Sequence, residues 1–184
     1  MINAPNLFTL LRLLLAPWIA LDIIHSHWGR AIIVLFAAGF TDVIDGFLAR
    51  RLGTSTRVGA YFDPIADKIL LVSIYIALGV SRAIPLWMVL LVFGRDLLIL
   101  GMVGYGLAFT TVRKFPPSVW GKISTFFQIA AALVVMGDRD GIPTPVGLSL
   151  GLMVAATAWS GIHYGWTGIR VLRQWRIDAR ATAG

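Results

Sequence analysis

The sequence predicts an all-α polytopic membrane protein, with six transmembrane helices and both termini in the cytoplasm. Three observations predict it. Hydrophobic residues fill 58% and charged residues 14% of the 184 positions, where an ordinary soluble domain carries about 25% charged residues. Six mostly apolar runs come close to the roughly 20 residues that cross a bilayer, with short polar connectors between them. The basic residues sit at the ends of those runs and gather on one side of the implied topology.

The first run, Leu7–Ile24, follows Ala4-Pro5-Asn6, carries Arg12 and lacks a small-residue cleavage site, so it does not read as a cleavable signal peptide. Connector His25–Arg30 leads to the second run, Ala31–Leu52. Gly53–Thr56 is so short that the third, Ala60–Val80, must be an antiparallel neighbour of the second. The fourth, Pro85–Ala108, holds Arg95 near its middle, and the fifth spans Val119–Met136. Gly137–Pro145 precedes the sixth, Val146–Leu172, where Gly147/Gly151 and Gly161/Gly165 are spaced for close helix packing. His163 in this run is expected to be a hydrogen-bonded packing residue. Arg170, Arg173, Arg176 and Arg180 then recur every three or four residues, making one helical face cationic, as suits a snorkelling anchor. With no linker long enough to separate domains, residues 1–184 read as one membrane domain.

Six spans put both termini, the second-to-third and the fourth-to-fifth connectors on one side. That side holds Arg12, Arg50, Arg51, Arg57, Lys68, Arg113, Lys114, Lys122 and the four arginines of the tail, whereas the other holds only Arg30, Arg82 and Arg139. The rule that cationic loops stay inside assigns the richer side to the cytoplasm. The net charge of +7 is thereby explained without a nucleic-acid partner. The absence of cysteine excludes disulfides, thiolate metal sites and cysteine catalysis.

All nine acids are aspartates, and Asp42, Asp45, Asp63 and Asp67 fall in the cytoplasmic halves of the second and third runs. Charge at membrane depth costs at least about 2.5 kcal/mol per group and needs a partner or a purpose. On a helix Asp42, Asp45 and Ala49 share one face, and Gly59, Asp63 and Asp67 step by four along another. Four carboxylates brought together cannot all stay ionised without cations between them. Oxygen donors without histidine or cysteine favour Mg²⁺ or Mn²⁺ over Zn²⁺. Two such ions form a common device for displacement at phosphorus. Gly46 and Gly59 leave room for a bulky ligand near the backbone, and Arg50 brings a cation to the rim. Helix glue would need one or two acids rather than four. An ion path, as in a small cation transporter or channel, would not place Arg50, Arg95 and Lys122 beside the acids.

The pattern Asp42-x₂-Asp45-Gly46-x₂-Ala49-Arg50-x₈-Gly59-x₃-Asp63-x₃-Asp67 resembles the signature of the CDP-alcohol phosphotransferase family. Eight specified positions coincide by chance roughly once in 10¹⁰ starting sites. The resemblance implies transfer of a phosphatidyl group from CDP-diacylglycerol to an alcohol with release of CMP, six spans, and a homodimer. It implies that Asp42, Asp45, Asp63 and Asp67 hold two Mg²⁺ or Mn²⁺ ions, with Asp67 also the general base. Gly46, Ala49, Arg50 and Gly59 would shape the pocket for the cytidine and diphosphate.

Pro5-Asn6-x₂-Thr9-x₂-Arg12 and Asp63-Pro64-Ile65-Ala66-Asp67-Lys68 are similar to the phosphatidylglycerophosphate synthase and cardiolipin synthase branches. In those branches Asn6 and Thr9 would touch the donor nucleotide. Arg95, Arg113, Lys114 and Lys122 are expected to form a cationic pocket for an anionic acceptor, although Arg95 and Asp96 could equally form a self-neutralised pair. Glycerol 3-phosphate suits a compact basic pocket and is the expected acceptor. Phosphatidylglycerol is the alternative, since Gly94-Arg95-Asp96 and Lys114-Phe115-Pro116 with Thr125 and Gln128 look more like cardiolipin synthases. The expected location is the bacterial inner membrane, among membrane lipids, with the active site facing the cytoplasm.

Overall fold

A computed structural model describes the backbone of residues 4–52, 57–109 and 119–181, and the side chains of residues 10–40, 65–102, 104 and 119–170. The described chain forms six α-helices and no strand: α1 (Ala4–Ile24), α2 (Trp28–Leu52), α3 (Arg57–Val80), α4 (Leu86–Phe109), α5 (Val119–Arg139) and α6 (Val146–Ala181). Each contains one apolar run. Among the described residues two segments, Val119–Arg139 and Val146–Arg170, are long and apolar enough to cross a membrane, and Trp28–Phe40 is a shorter apolar stretch.

Two compact units make up the chain. One joins Met1–Leu86 to Ala132–Val146, and the other joins Trp87–Ala131 to Gly147–Gly184. In the first, α1 packs against α3 and α2. Ala16, Ile19 and Ile23 of α1, Ala31 and Ala38 of α2, and Ala66, Leu71, Ile74, Tyr75 and Leu78 of α3 are all buried. Small alanines on three helices let the backbones approach closely.

Three helices of this unit end alike. Ser26, Arg82 and Gly141 adopt φ of 62°, 56° and 90°. Beyond each, an amide donates five residues back: His27 to the Asp22 carbonyl (2.8 Å), Ala83 to Leu78 (2.9 Å) and Ile142 to Gly137 (2.9 Å). These are Schellman caps, which satisfy the last helical carbonyls with one left-handed residue. Only the third uses glycine. Cross-links join the turns, since the Gly29 amide donates to Asp140 Oδ1 (3.0 Å) and Arg139 Nη2 to the Arg82 carbonyl (3.3 Å).

The same end holds an ion pair without a sequence signal. Arg30 Nε donates to Asp22 Oδ2 at 2.9 Å and its Nη2 to Oδ1. Asp22 is buried, whereas the Arg30 side chain is largely exposed. Removing the arginine strands a buried carboxylate, which costs far more than loss of an exposed pair. Arg30→Ala is therefore expected to lower the melting temperature, and Asp22→Asn in the same chain to recover much of the loss. Thermal unfolding of the single and double variants checks this; an unchanged melting temperature in Arg30→Ala contradicts it.

In the second unit a polar seam joins α5 to α6. Ser124 donates to Thr157 at 3.2 Å, and Gln128 Nε2 donates to both hydroxyls, at 3.3 Å and 3.1 Å. All three side chains are fully buried. Trp120 meets Trp159 edge to face, with centroids 5.8 Å apart. At Gly168, α6 lies close to the Met102 side chain of α4, since a methyl there would collide with its thioether. The paired glycines behave otherwise. No described atom lies within 4 Å of a methyl built on Gly147, Gly151 or Gly165, so the close packing expected of them is not made among the described residues. His163 also departs from expectation: its buried Nδ1 has no hydrogen-bond partner among the described residues, and its ring lies edge to face with Tyr164.

The apolar core is accompanied by buried polar and charged groups and by a large exposed apolar surface. Arg12, Asp22, Arg95, Asp96, Ser124, Gln128, Thr157 and Ser160 are buried, while Leu14, Ile33, Phe40, Leu100, Phe126 and Ile162 are exposed. Water drives apolar side chains inward, so this many exposed apolar side chains beside a few buried charged ones fit a surface that faces hydrocarbon.

Candidate active site

Asp42 and Asp45 lie on the C-terminal half of α2, and Asp63 and Asp67 on the N-terminal half of α3. The helical backbone keeps the one-turn spacing that the sequence implies for each pair. The side chains of Asn6, Thr9, Asp42, Asp45, Gly46, Ala49, Arg50, Gly59 and Asp63 lie outside the described residues, as do Arg113 and Lys114 altogether.

Asp67 is described. Its carboxylate is 58% exposed, and Oδ1 accepts from Nη1 of Arg12, whose side chain is only 5% exposed. The contact spans 55 residues and follows from the packing of α1 on α3. Buried Ala66, beside Asp67, faces the core. Arg12 was legible as a charge inside an apolar run, but spacing alone could not name its partner. A carboxylate that accepts from a guanidinium is presented in its ionised form. An exposed, ionised oxygen donor from aspartate fits a hard divalent cation. Among the described residues no three acidic or histidine side chains cluster, since three of the four motif aspartates lie outside them.

The second unit positions Arg95. Its Nη1 donates to Asp96 Oδ1 at 2.6 Å, while Nε and Nη2 both donate to the Ser160 hydroxyl, at 3.3 Å and 3.0 Å. The guanidinium carbon stands 5.8 Å from the centroid of the Tyr164 ring. On α5, Gly121 makes this approach possible: a methyl there would stand 3.0 Å from Arg95 Nη2 and 3.1 Å from the Tyr164 hydroxyl. Arg95 therefore has its adjacent aspartate as partner, together with a second contact 65 residues away. Lys122, the next residue on α5, is exposed.

The stem of Arg95 passes Gly161 and lines an open groove of about 700 Å³ between α4 and α6, with Leu91, Gly94, Leu98, Thr157 and Trp166. Further along α6, the Arg170 guanidinium stacks on Trp166 at 3.5 Å.

A sequence model described as CDP-alcohol phosphatidyltransferase matches residues 2–162. A Mycobacterium tuberculosis protein named "Putative cardiolipin synthase" is 32% identical over 169 residues, covering 90% of this chain and 78% of the relative. A second from the same species, "Probable phosphatidylglycerophosphate synthase", is 33% identical over 169 residues, covering 88% and 79%. The Aquifex aeolicus "CDP-diacylglycerol--glycerol-3-phosphate 3-phosphatidyltransferase" is 37% identical over 140 residues, covering 72% and 75%.

Proposed function

The chain belongs to the CDP-alcohol phosphatidyltransferase family, and on that premise we propose that it transfers a phosphatidyl group from CDP-diacylglycerol to glycerol 3-phosphate, giving phosphatidylglycerophosphate and CMP. The observation that carries this is the match over residues 2–162, which contains the complete eight-position aspartate motif. It also runs through both units, in keeping with one catalytic domain over 1–184.

In this scheme Asp42, Asp45, Asp63 and Asp67 hold two Mg²⁺ or Mn²⁺ ions. When bound, such ions neutralise the diphosphate and stabilise charge at the transferring phosphorus. Asp67 takes the proton of the acceptor hydroxyl. The acceptor oxygen bonds to the phosphorus that carries diacylglycerol, and the pyrophosphate bond to CMP breaks. Asn6, Thr9, Gly46, Ala49, Arg50 and Gly59 receive the nucleotide and diphosphate, while Arg95, Arg113, Lys114 and Lys122 hold the acceptor's phosphate. Arg12 joins this set as the partner of Asp67.

The enzyme is placed in the bacterial inner membrane as a six-span homodimer with its termini and active site on the cytoplasmic side. The membrane location is supported by the exposed apolar side chains and the helix lengths, and the orientation by the Lys/Arg asymmetry. The shortest helices have 21 residues, about 31 Å at 1.5 Å per residue.

A second acceptor is favoured by the relatives named cardiolipin synthase. Purified protein in detergent, given CDP-diacylglycerol, Mg²⁺ and either glycerol 3-phosphate or phosphatidylglycerol, separates the two by thin-layer identification of the lipid product. Phosphatidylglycerophosphate is expected, and cardiolipin alone would move the chain to the other branch. Activity should vanish in EDTA and return with Mg²⁺ or Mn²⁺. Failure to release CMP with either acceptor, together with cation flux into vesicles, would replace the enzyme by a transporter.

A further inference from the structure

Arginine carries five N–H donors in a rigid planar fork. Arg95 uses three of them: Nε and one on Nη2 toward Ser160, and one on Nη1 toward Asp96. Among the described residues, one donor therefore remains on each terminal nitrogen of a side chain that is only 6% exposed. A buried donor without an acceptor costs free energy, and two donors on neighbouring nitrogens suit the paired oxygens of a phosphate.

What fixes the fork is the hydroxyl of Ser160. It accepts from Nε and Nη2 together, so the guanidinium plane turns only if both bonds break. Asp96 holds the opposite nitrogen at a single point. Gly121 bounds the fork on the Nη2 side, where a methyl would stand 3.0 Å away. Ser160 itself is fully buried, so its hydroxyl is not a surface group that happens to lie nearby.

We propose that Ser160 is a positioning residue for the acceptor's phosphate, acting through Arg95 by holding its guanidinium in one rotation with a donor left on each terminal nitrogen. The inference rests on the assignment of Arg95 to the acceptor pocket. It holds for either acceptor, because glycerol 3-phosphate and phosphatidylglycerol both present anionic phosphate oxygens.

Ser160→Ala removes one oxygen and leaves the charge of Arg95 in place. It should raise the KM for the accepted alcohol about 5- to 10-fold, with kcat within about threefold and the KM for CDP-diacylglycerol unchanged. Arg95→Gln should raise the same KM about 10- to 150-fold. If Ser160 acts through Arg95, adding Ser160→Ala to Arg95→Gln changes nothing further. A merely structural serine would give the same factor in both backgrounds. Each variant is assayed with glycerol 3-phosphate and with phosphatidylglycerol, alongside its thermal unfolding. Ser160→Cys, close in size but a weak acceptor, serves if the alanine variant does not fold, with the same KM rise expected.

The outcomes separate. A normal acceptor KM in folded Arg95→Gln removes Arg95 from the acceptor pocket, and this inference falls with it. A raised KM in Arg95→Gln, with a normal one in folded Ser160→Ala or Ser160→Cys, overturns the role of Ser160 alone. An additive double variant does the same.

Discussion

Asp42→Asn and Asp63→Asn should each lower kcat by at least about 10³ in protein that still folds. Each replacement keeps the shape of the side chain and, in the proposed two-ion site, removes one ligand charge. The loss falls on the step in which charge moves from the diphosphate to departing CMP, so it appears in kcat. The apparent affinity for Mg²⁺ should weaken as well, read directly by calorimetry without turnover. CMP release at saturating substrates, with thermal unfolding of the same samples, is the measurement. Undiminished turnover in either folded variant would end the two-ion assignment.

Replacing Asp67 should affect stability as well as turnover, because buried Arg12 donates to it. If Asp67 takes the alcohol's proton as proposed, Asp67→Asn should lower kcat by about 10²- to 10⁴-fold. It should also destabilise the protein, since the guanidinium on α1 loses a charged acceptor, a loss of about 1–3 kcal/mol. Arg12→Gln leaves the carboxylate in place without this arginine to orient it, so kcat should fall about 10- to 100-fold. The stability losses should not add in Arg12→Gln/Asp67→Asn, because both remove one interaction. Denaturation of the four proteins tests this, and an Asp67→Asn melting temperature equal to wild type would show that the pair contributes nothing to stability.

Helix positions were legible because each long apolar run, bounded by polar connectors, lies within one helix. Expected Ala31–Leu52 and Ala60–Val80 became Trp28–Leu52 and Arg57–Val80. Differences arise where helix continues into polar sequence: α5 runs on to Arg139 and α6 to Ala181. Hydropathy ends with the apolar residues, whereas backbone hydrogen bonding propagates past them. The Asp42–Asp67 motif was legible because its spacing matches helical faces. Arg95–Asp96 was legible because the partners adjoin. Ser160 carried no signal, being one hydroxyl between Trp159 and Gly161 whose partner is 65 residues distant. Gly147 and Gly151 show the converse error, in which spacing identified a small-residue face but not what lies opposite it.

The two partners of Arg95 also differ in when they exist. A ribosome adding about 5–20 residues per second reaches Asp96 at once and Ser160 roughly 3–13 s later. In the proposed six-span topology, α4 enters the bilayer during that interval with its arginine paired to Asp96, before α6 has been made. In that scheme Asp96 serves Arg95 alone during synthesis and together with Ser160 in the finished enzyme. Loss of Asp96 should show first as poor membrane integration of the nascent chain, and loss of Ser160 only after assembly is complete.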